Sequence, residues 1–294
     1  MIYRYFFSNK LIQSDIKWPF LPSSTSKSTP DINISLDKSI FPKKDINNSR
    51  DYYVINMKKS IIHLKNKAYI EISDSGKKIS VNIFQDKIDD TLSYKIANQI
   101  IPYSVYMQGG FVLHASCITA LDGCILFVGR SGTGKSTLAS SFLDKKILSE
   151  DFVSLEESGG DYLAYPTIPF SKISSNIITK FGLNNSKNIK LDNDFRARNL
   201  VEINNFEHTP KKVLHCFFLN WGDRFSISPL PSHEKISHLL ESTYNAFPLG
   251  SCPQSSKNIF NKISEFIRRV KVSKIARKKD LDFSNNQNIL DSIS

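Results

Sequence analysis

The stretch that most constrains this chain is Cys124–Leu143, "CILFVGRSGTGKSTLASSFL". An apolar run meets a glycine-rich knot, and helical spacing follows, with Leu138, Ala139, Phe142 and Leu143 on one side. The knot fits G-x-x-x-x-G-K-[ST] with Gly129, Gly134, Lys135 and Ser136. Glycines permit positive φ and let backbone N–H groups turn inward around anionic oxygens. The helix behind adds the positive end of its dipole. Gly129, Ser131, Gly132, Thr133, Gly134, Lys135, Ser136 and Thr137 are therefore the expected ATP-binding residues. Lys135 would neutralise the β- and γ-phosphates, and Ser136 would offer its hydroxyl to Mg²⁺.

A bound nucleotide needs a carboxylate partner. "LSED" supplies Glu150 and Asp151 at a strand end, where an acid on a neighbouring strand lies close to the metal. With Ser136 they form the expected metal set. His114 sits on the strand "FVLHAS". If Asp122-Gly123 is a two-residue turn, that strand neighbours the one feeding the loop. His114 then lies near the phosphates or is a satisfied core residue, and both readings stay open. The same turn would set Leu121 opposite Cys124 and Cys117 opposite Val128, keeping the two sulfurs apart.

Along the chain, residues 1–108 read as a small β-rich unit ending in a helix, and 109–294 as the phosphate-binding domain. Short extended runs, "DYYVINM", "SIIHL", "AYIEIS" and "KISVNIF", make the first 85 or so residues an antiparallel unit, with Pro22–Pro42 as a surface loop. Ile88, Leu92, Ile96 and Ile100 mark a helix from Asp86 to Met107 that Pro102 should kink or end. In the second domain "VLHCFFLNW" reads as a fully buried strand with "FSISPL" beside it, and two helices, a last strand and a short helix close the chain.

The net charge of +11 is densest in "RRVKVSKIARKK", Arg268–Lys279, read as the solvated face of a half-buried strand. No zinc finger, helix-turn-helix or aromatic RNA-binding motif accompanies it, so a nucleic-acid partner is not expected. Cys117, Cys124, Cys216 and Cys252 form no C-x-x-C pair and read as reduced thiols of a cytoplasmic protein. No signal peptide or membrane span is evident.

The run "GGFVLHASCITALDGCILFVGRSGTGKSTLASSFLDKKILSEDFVSL" resembles the catalytic domain of HPr kinase/phosphorylase. It looks closer still to the HPr-kinase-like proteins found with lasso peptide biosynthesis. "YRYFFSNKLIQSDIKWPFLP" and "RVKVSKIARKKDLDF" are similar to that family's opening and closing strands. The resemblance implies an α/β fold: a P-loop kinase core of the HPr kinase/PEP carboxykinase type, a mixed sheet flanked by helices, with a small N-terminal β-rich unit. It implies an ATP/Mg²⁺-dependent kinase acting on a serine of a peptide or protein, and it leaves a homo-oligomer open. His114 matches the family's phosphate-proximal histidine, Lys135 and Ser136 its phosphate and metal residues. Glu150 and Asp151 match its Asp-Asp pair. Glu150 adds a methylene, about 1.5 Å of reach, so Asp151 is the expected base. Arg196, Arg198 and Arg224 are candidates for the family's later arginine. A nucleotide-dependent scaffold and a small-metabolite kinase are the rival readings.

Overall fold

The computed structural model describes residues 1–40, 52–54, 59–85, 87–183, 187–191, 197–245 and 253–293. Cys252 and Arg196 lie outside them. The chain divides into two units, Met1–Gly110 with Phe247–Ser255, and Phe111–Ala246 with Ser256–Ser294.

The first unit is built on β1 (Tyr3–Phe7), β2 (Lys10–Ser14), β3 (Ile32–Leu36), β4 (Tyr52–Val54), β5 (Ser60–Leu64), β6 (Ala68–Ser73) and β7 (Lys78–Ile83). They form one sheet in the order β1-β2-β3-β7-β6-β5-β4. The sheet is mixed, not antiparallel: β3 runs parallel to both β2 and β7. The segment expected to be a loop holds β3, because Ile32 and Ile34 alternate into the core, at 0% and 2% exposure. The excursion through residues 15–31 carries the chain from the end of β2 back to the end at which β2 begins, as parallel pairing requires.

A helix follows as α1 (Asp90–Lys95), a π-turn (Ile96–Ile100) and α2 (Ile101–Met107). Asp89 caps it, its carboxylate accepting the Leu92 N–H at 2.6 Å. Pro102 does not end the helix. The Ile101 N–H reaches back to Ile96 O, and this widened turn accommodates a residue that has no N–H to give.

The second unit opens with β8 (Phe111–Leu113), β9 (Ala115–Ala120) and β10 (Gly123–Val128). Then come α3 (Lys135–Ser141), β11 (Ile147–Ser149), β12 (Val153–Ser158) and β13 (Asp161–Tyr165). A small sheet follows from β14 (Phe170–Ser174), β15 (Asn188–Lys190) and β16 (Arg198–Glu202), with α4 (Ser175–Lys180) after β14. The chain closes with β17 (Lys211–Trp221), β18 (Ser226–Pro229), α5 (Ser232–Asn245), α6 (Pro253–Arg269), β19 (Lys271–Arg277) and α7 (Asn286–Asp291). The main sheet runs β11-β9-β10-β17-β13-β12-β8, with β19 on β17 and β18 on β19. "FSISPL" thus pairs with the last strand rather than with β17.

This sheet curls on itself. Its end strands β8 and β11 are the immediate continuations of β9 and β12, so the chain twice crosses from one end of the sheet to the other. One crossing is at His114, the other at Glu150–Phe152. One face of the central strands, with Phe127, Phe217, Leu219 and Ile275, packs on Leu138, Ala139 and Phe142 of α3 and its flank. Each buried Leu, Ile or Phe there contributes about 1.5–3 kcal/mol. The arrangement holds the glycine-rich loop on a rigid base.

The hairpin between β9 and β10 is shifted from the expected register. Ala120 faces Gly123 and Cys117 faces Leu126, so Leu121 and Asp122 make the turn, Leu121 at φ 49°. Gly123 is needed elsewhere: a Cβ there would stand 2.4 Å from Lys212 O. In this register Cys117 and Cys124 share a face, and Cys124 presses on Cys117. Burial first, then Cys124, drives the Cys117 thiol well above its ordinary pKa. Cys117, Cys124 and Cys216 are all free and buried. Among the described residues no helix is long and apolar enough to cross a membrane.

Candidate active site

The loop between β10 and α3 has Gly129, Gly132 and Gly134 at φ 147°, 92° and 80°. Ser131 and Gly132 form an exposed tip. Thr133 braces the turn, its hydroxyl donating to Arg130 O at 2.9 Å. Lys135 is buried, and its Nζ donates to Gly129 O at 2.8 Å and to Arg130 O at 3.3 Å. The amine therefore lies inside the curve of the loop. Ser136 and Thr137 follow on the first turn of α3.

Glu150 comes to this loop from the end of β11. It is 2% exposed, and Ser116 Oγ donates to its Oε2 at 3.0 Å. Its Oε1 is buried with no hydrogen-bond partner. Burial, with the neighbouring Asp151 charge, raises the Glu150 pKa to about 7, while Ser136, Ser116 and Lys135 pull against the rise. A carboxyl this costly to bury, with one oxygen uncommitted beside a loop serine and lysine, suits a hard cation. Ser136 and Glu150 are the residues that would hold Mg²⁺, which takes few protein ligands and completes its shell with phosphate and water. Among the described residues no group of three His, Cys, Asp or Glu side chains has metal-binding geometry.

Asp151 points elsewhere. It is the centre of a tight turn at φ 63°, closed by the Phe152 N–H on Glu150 O at 2.8 Å. Ser149 Oγ fastens the turn through Phe152 O and lies 2.8 Å from Thr167 Oγ1. The turn sends consecutive carboxylates to different partners. Asp151 Oδ2 pairs with Lys172 Nζ of β14 at 3.1 Å.

His114 occupies the break between β8 and β9 rather than the middle of a strand. Its ring meets Phe152 edge-on, with centroids 5.8 Å apart. Crowding by protein atoms, then the Lys135 charge, lowers its pKa to about 3. Asp151 opposes that shift, while Lys172 and Arg198 add to it. His114 is thus a neutral imidazole beside the loop lysine and the outer acid.

Lys172, Ser116 and Arg277 join the site without a sequence signal strong enough to single them out. Arg277 is the exception to the reading of the basic run as a solvated face. It ends β19 at 7% exposure, its Nη2 3.4 Å from both Thr133 O and Gly134 O. The ring of Trp221 lies 4.5 Å beneath the guanidinium. Arg268 and Arg269, by contrast, pair outward with Glu265 and Glu157. Of the candidate arginines, Arg198 reaches His114 electrostatically, whereas Arg224 lines a cavity with Arg277.

No protein-family model and no curated protein matches the chain. Among solved structures the chain is similar to the HPr(Ser) kinase/phosphatase from Coxiella burnetii. The TM-score is 0.30 and the identity 12%, over 62% of this chain and 92% of that one.

Proposed function

We propose that this chain is an ATP- and Mg²⁺-dependent kinase that phosphorylates a serine hydroxyl on a peptide or protein. The observation that carries the reading is Glu150: a buried carboxyl with an uncommitted oxygen, set against Ser136 and Lys135 of the phosphate loop. Loop amides and Lys135 bind and neutralise the phosphates. When bound, Mg²⁺ supplies charge neutralisation at the phosphate oxygens. Asp151 takes the serine proton, the serine oxygen bonds to the γ-phosphorus, and the bond to ADP breaks. Neutral His114 orients the phosphoryl oxygens without adding charge. Such catalysis is mostly positioning and electrostatics.

The sequence resemblance makes a lasso-type precursor peptide the first acceptor to try. The test incubates the protein with ATP, Mg²⁺ and peptides encoded near its gene, and looks for a mass gain of about 80 Da, one phosphoryl group. Loss of product in both Lys135→Ala and Asp151→Asn is expected. Full activity in Lys135→Ala sinks the proposal.

One observation favours a second reading, a nucleotide-dependent scaffold with little turnover. The ion pair with Lys172 occupies the carboxylate assigned as base. That reading predicts saturable ATP binding and no acceptor-dependent release of ADP.

A further inference from the structure

The flank of α3 borders a cavity of about 240 Å³ that the phosphate loop alone does not explain. Leu138, Phe225 and Phe283 give it apolar and aromatic walls, Asp280 a carboxylate, and Arg224 and Arg277 cationic groups. Its position is fixed by Arg277, which both lines it and touches the carbonyls of Thr133 and Gly134 in the loop. The two sites are therefore contiguous.

Arg277 is the informative side chain. Trp221 supports its guanidinium at 4.5 Å and Phe283 lies 5.8 Å from it. It is 7% exposed, yet its Nε and Nη1 are buried with no hydrogen-bond partner. Buried donors of this kind cost about 1–3 kcal/mol each when left unmet, more when charged. Arg277 thus brings a planar cation, flanked by two aromatic rings and with two donors unmet, to the lining of the cavity. Gly134 is part of the same device. A Cβ there would sit 2.3 Å from Arg277 Nη2, so the loop glycine leaves room for the guanidinium.

We propose that this cavity takes the nucleoside end of a nucleoside triphosphate, with Arg277 as its polar anchor. The proposal rests on the reading of the loop as a nucleotide site. The phosphates lie in the loop, and the chain of bonds from the α-phosphate continues along α3 into the cavity. Phe225, Phe283 and Leu138 face the base, Arg277 donates to its acceptor atoms, and Asp280 accepts from the sugar hydroxyls. The volume falls below the roughly 300–1,000 Å³ of sites that enclose a whole drug-sized ligand. That scale suits a base and sugar whose phosphates are housed outside.

The experiment titrates the full chain calorimetrically with Mg·ATP and, separately, with Mg·tripolyphosphate, which has the phosphates and no nucleoside. Wild type should bind ATP at least about tenfold more tightly, or roughly 1.4 kcal/mol. Arg277→Met should remove most of that preference. Because Arg277 also touches the loop, Asp280→Ala and Phe283→Leu provide variants clear of it. Each should weaken ATP and leave tripolyphosphate unchanged. Equal affinity of wild type for both ligands, or unaltered ATP affinity in both Asp280→Ala and Phe283→Leu, overturns the cavity proposal and leaves the loop reading standing. Binding of neither ligand overturns both.

Discussion

Replacing Glu150 by Gln tests the electrostatics of the site without any substrate. The Glu150 carboxyl has an ordinary pKa of 4.5, and in the folded chain it is raised to about 7. Between those values the unfolded chain has lost its proton while the folded chain keeps it. The folded state then binds more protons, so stability falls as pH rises through this window and is level above it. Complete passage through the window costs about 3 kcal/mol, at roughly 1.36 kcal/mol per pH unit. Between pH 5 and pH 8 the same relation gives about 2.5 kcal/mol. Gln can still accept from Ser116 but has no proton to lose. Its offset from wild type, whatever the sign at pH 5, should therefore move in the variant's favour by that amount at pH 8. The assay is urea unfolding with a metal chelator present, in a Trp18→Phe background so that Trp221 alone reports on the second unit. An offset that stays constant within about 0.5 kcal/mol across the range refutes the reasoning, since additivity errors are of that size. With Mg²⁺ and ATP added the slope should flatten, because a cation on Glu150 displaces the proton that the folded state otherwise keeps.

Gly134→Ala and Gly160→Ala separate strain from contact. Both glycines have positive φ, 80° and 89°, but a Cβ at 134 meets Arg277 Nη2 at 2.3 Å and one at 160 meets nothing within 4 Å. Gly160→Ala should cost only the left-handed term, about 1–2 kcal/mol, and Gly134→Ala more than that, with loss of nucleotide binding; equal melting temperatures would contradict this. His114, with its pKa lowered to about 3, is neutral throughout pH 5–8. His114→Gln should therefore lower turnover without changing the shape of the pH–rate profile there, and disappearance of a limb near pH 6.5 would assign His114 a titrating role. In a Cys252→Ser background, Cys117, Cys124 and Cys216 should react with a chromogenic disulfide only after unfolding, each being 0% exposed. Rapid reaction of the native protein would place a sulfur at the surface.

The strand, glycine-rich turn and helix at Cys124–Ser141 were legible because their signal is local: glycines at fixed spacing between an apolar run and an amphipathic one. β17 was legible as a largely apolar run, and β19 as an alternating one. What escaped depends on distant neighbours. Asp122-Gly123 is a good turn dipeptide, yet Gly123 is drawn into β10 by the approach of Lys212 O, and Leu121 accepts the unfavourable φ instead. "FVLHAS" reads as a continuous strand, and in "KILSEDFVSL" the two acids mark an interruption, but nothing within either announces a change of partner. The break at each is set by which strands lie alongside, β12 for the first half of one and β9 for the first half of the other. Arg277 is one cation in a run of seven between Arg268 and Lys279, and only the position of Trp221 and the loop distinguishes it from its solvated neighbours.

The pairing of β17 with β19 bears on how the chain is made. β17 receives β10 and β19 on its two sides along most of its length, both parallel, and β18 is paired through β19. A ribosome delivers β19 long after β10 and the loop have emerged. Until it arrives, one edge of β17 stays open beside Phe217 and Leu219, and Arg277 is missing from behind Gly134. A nascent chain halted before Lys271 is therefore an adhesive intermediate. The contact of Arg277 with the carbonyls of Thr133 and Gly134 is thus completed late in synthesis, when the last strand pairs with β17.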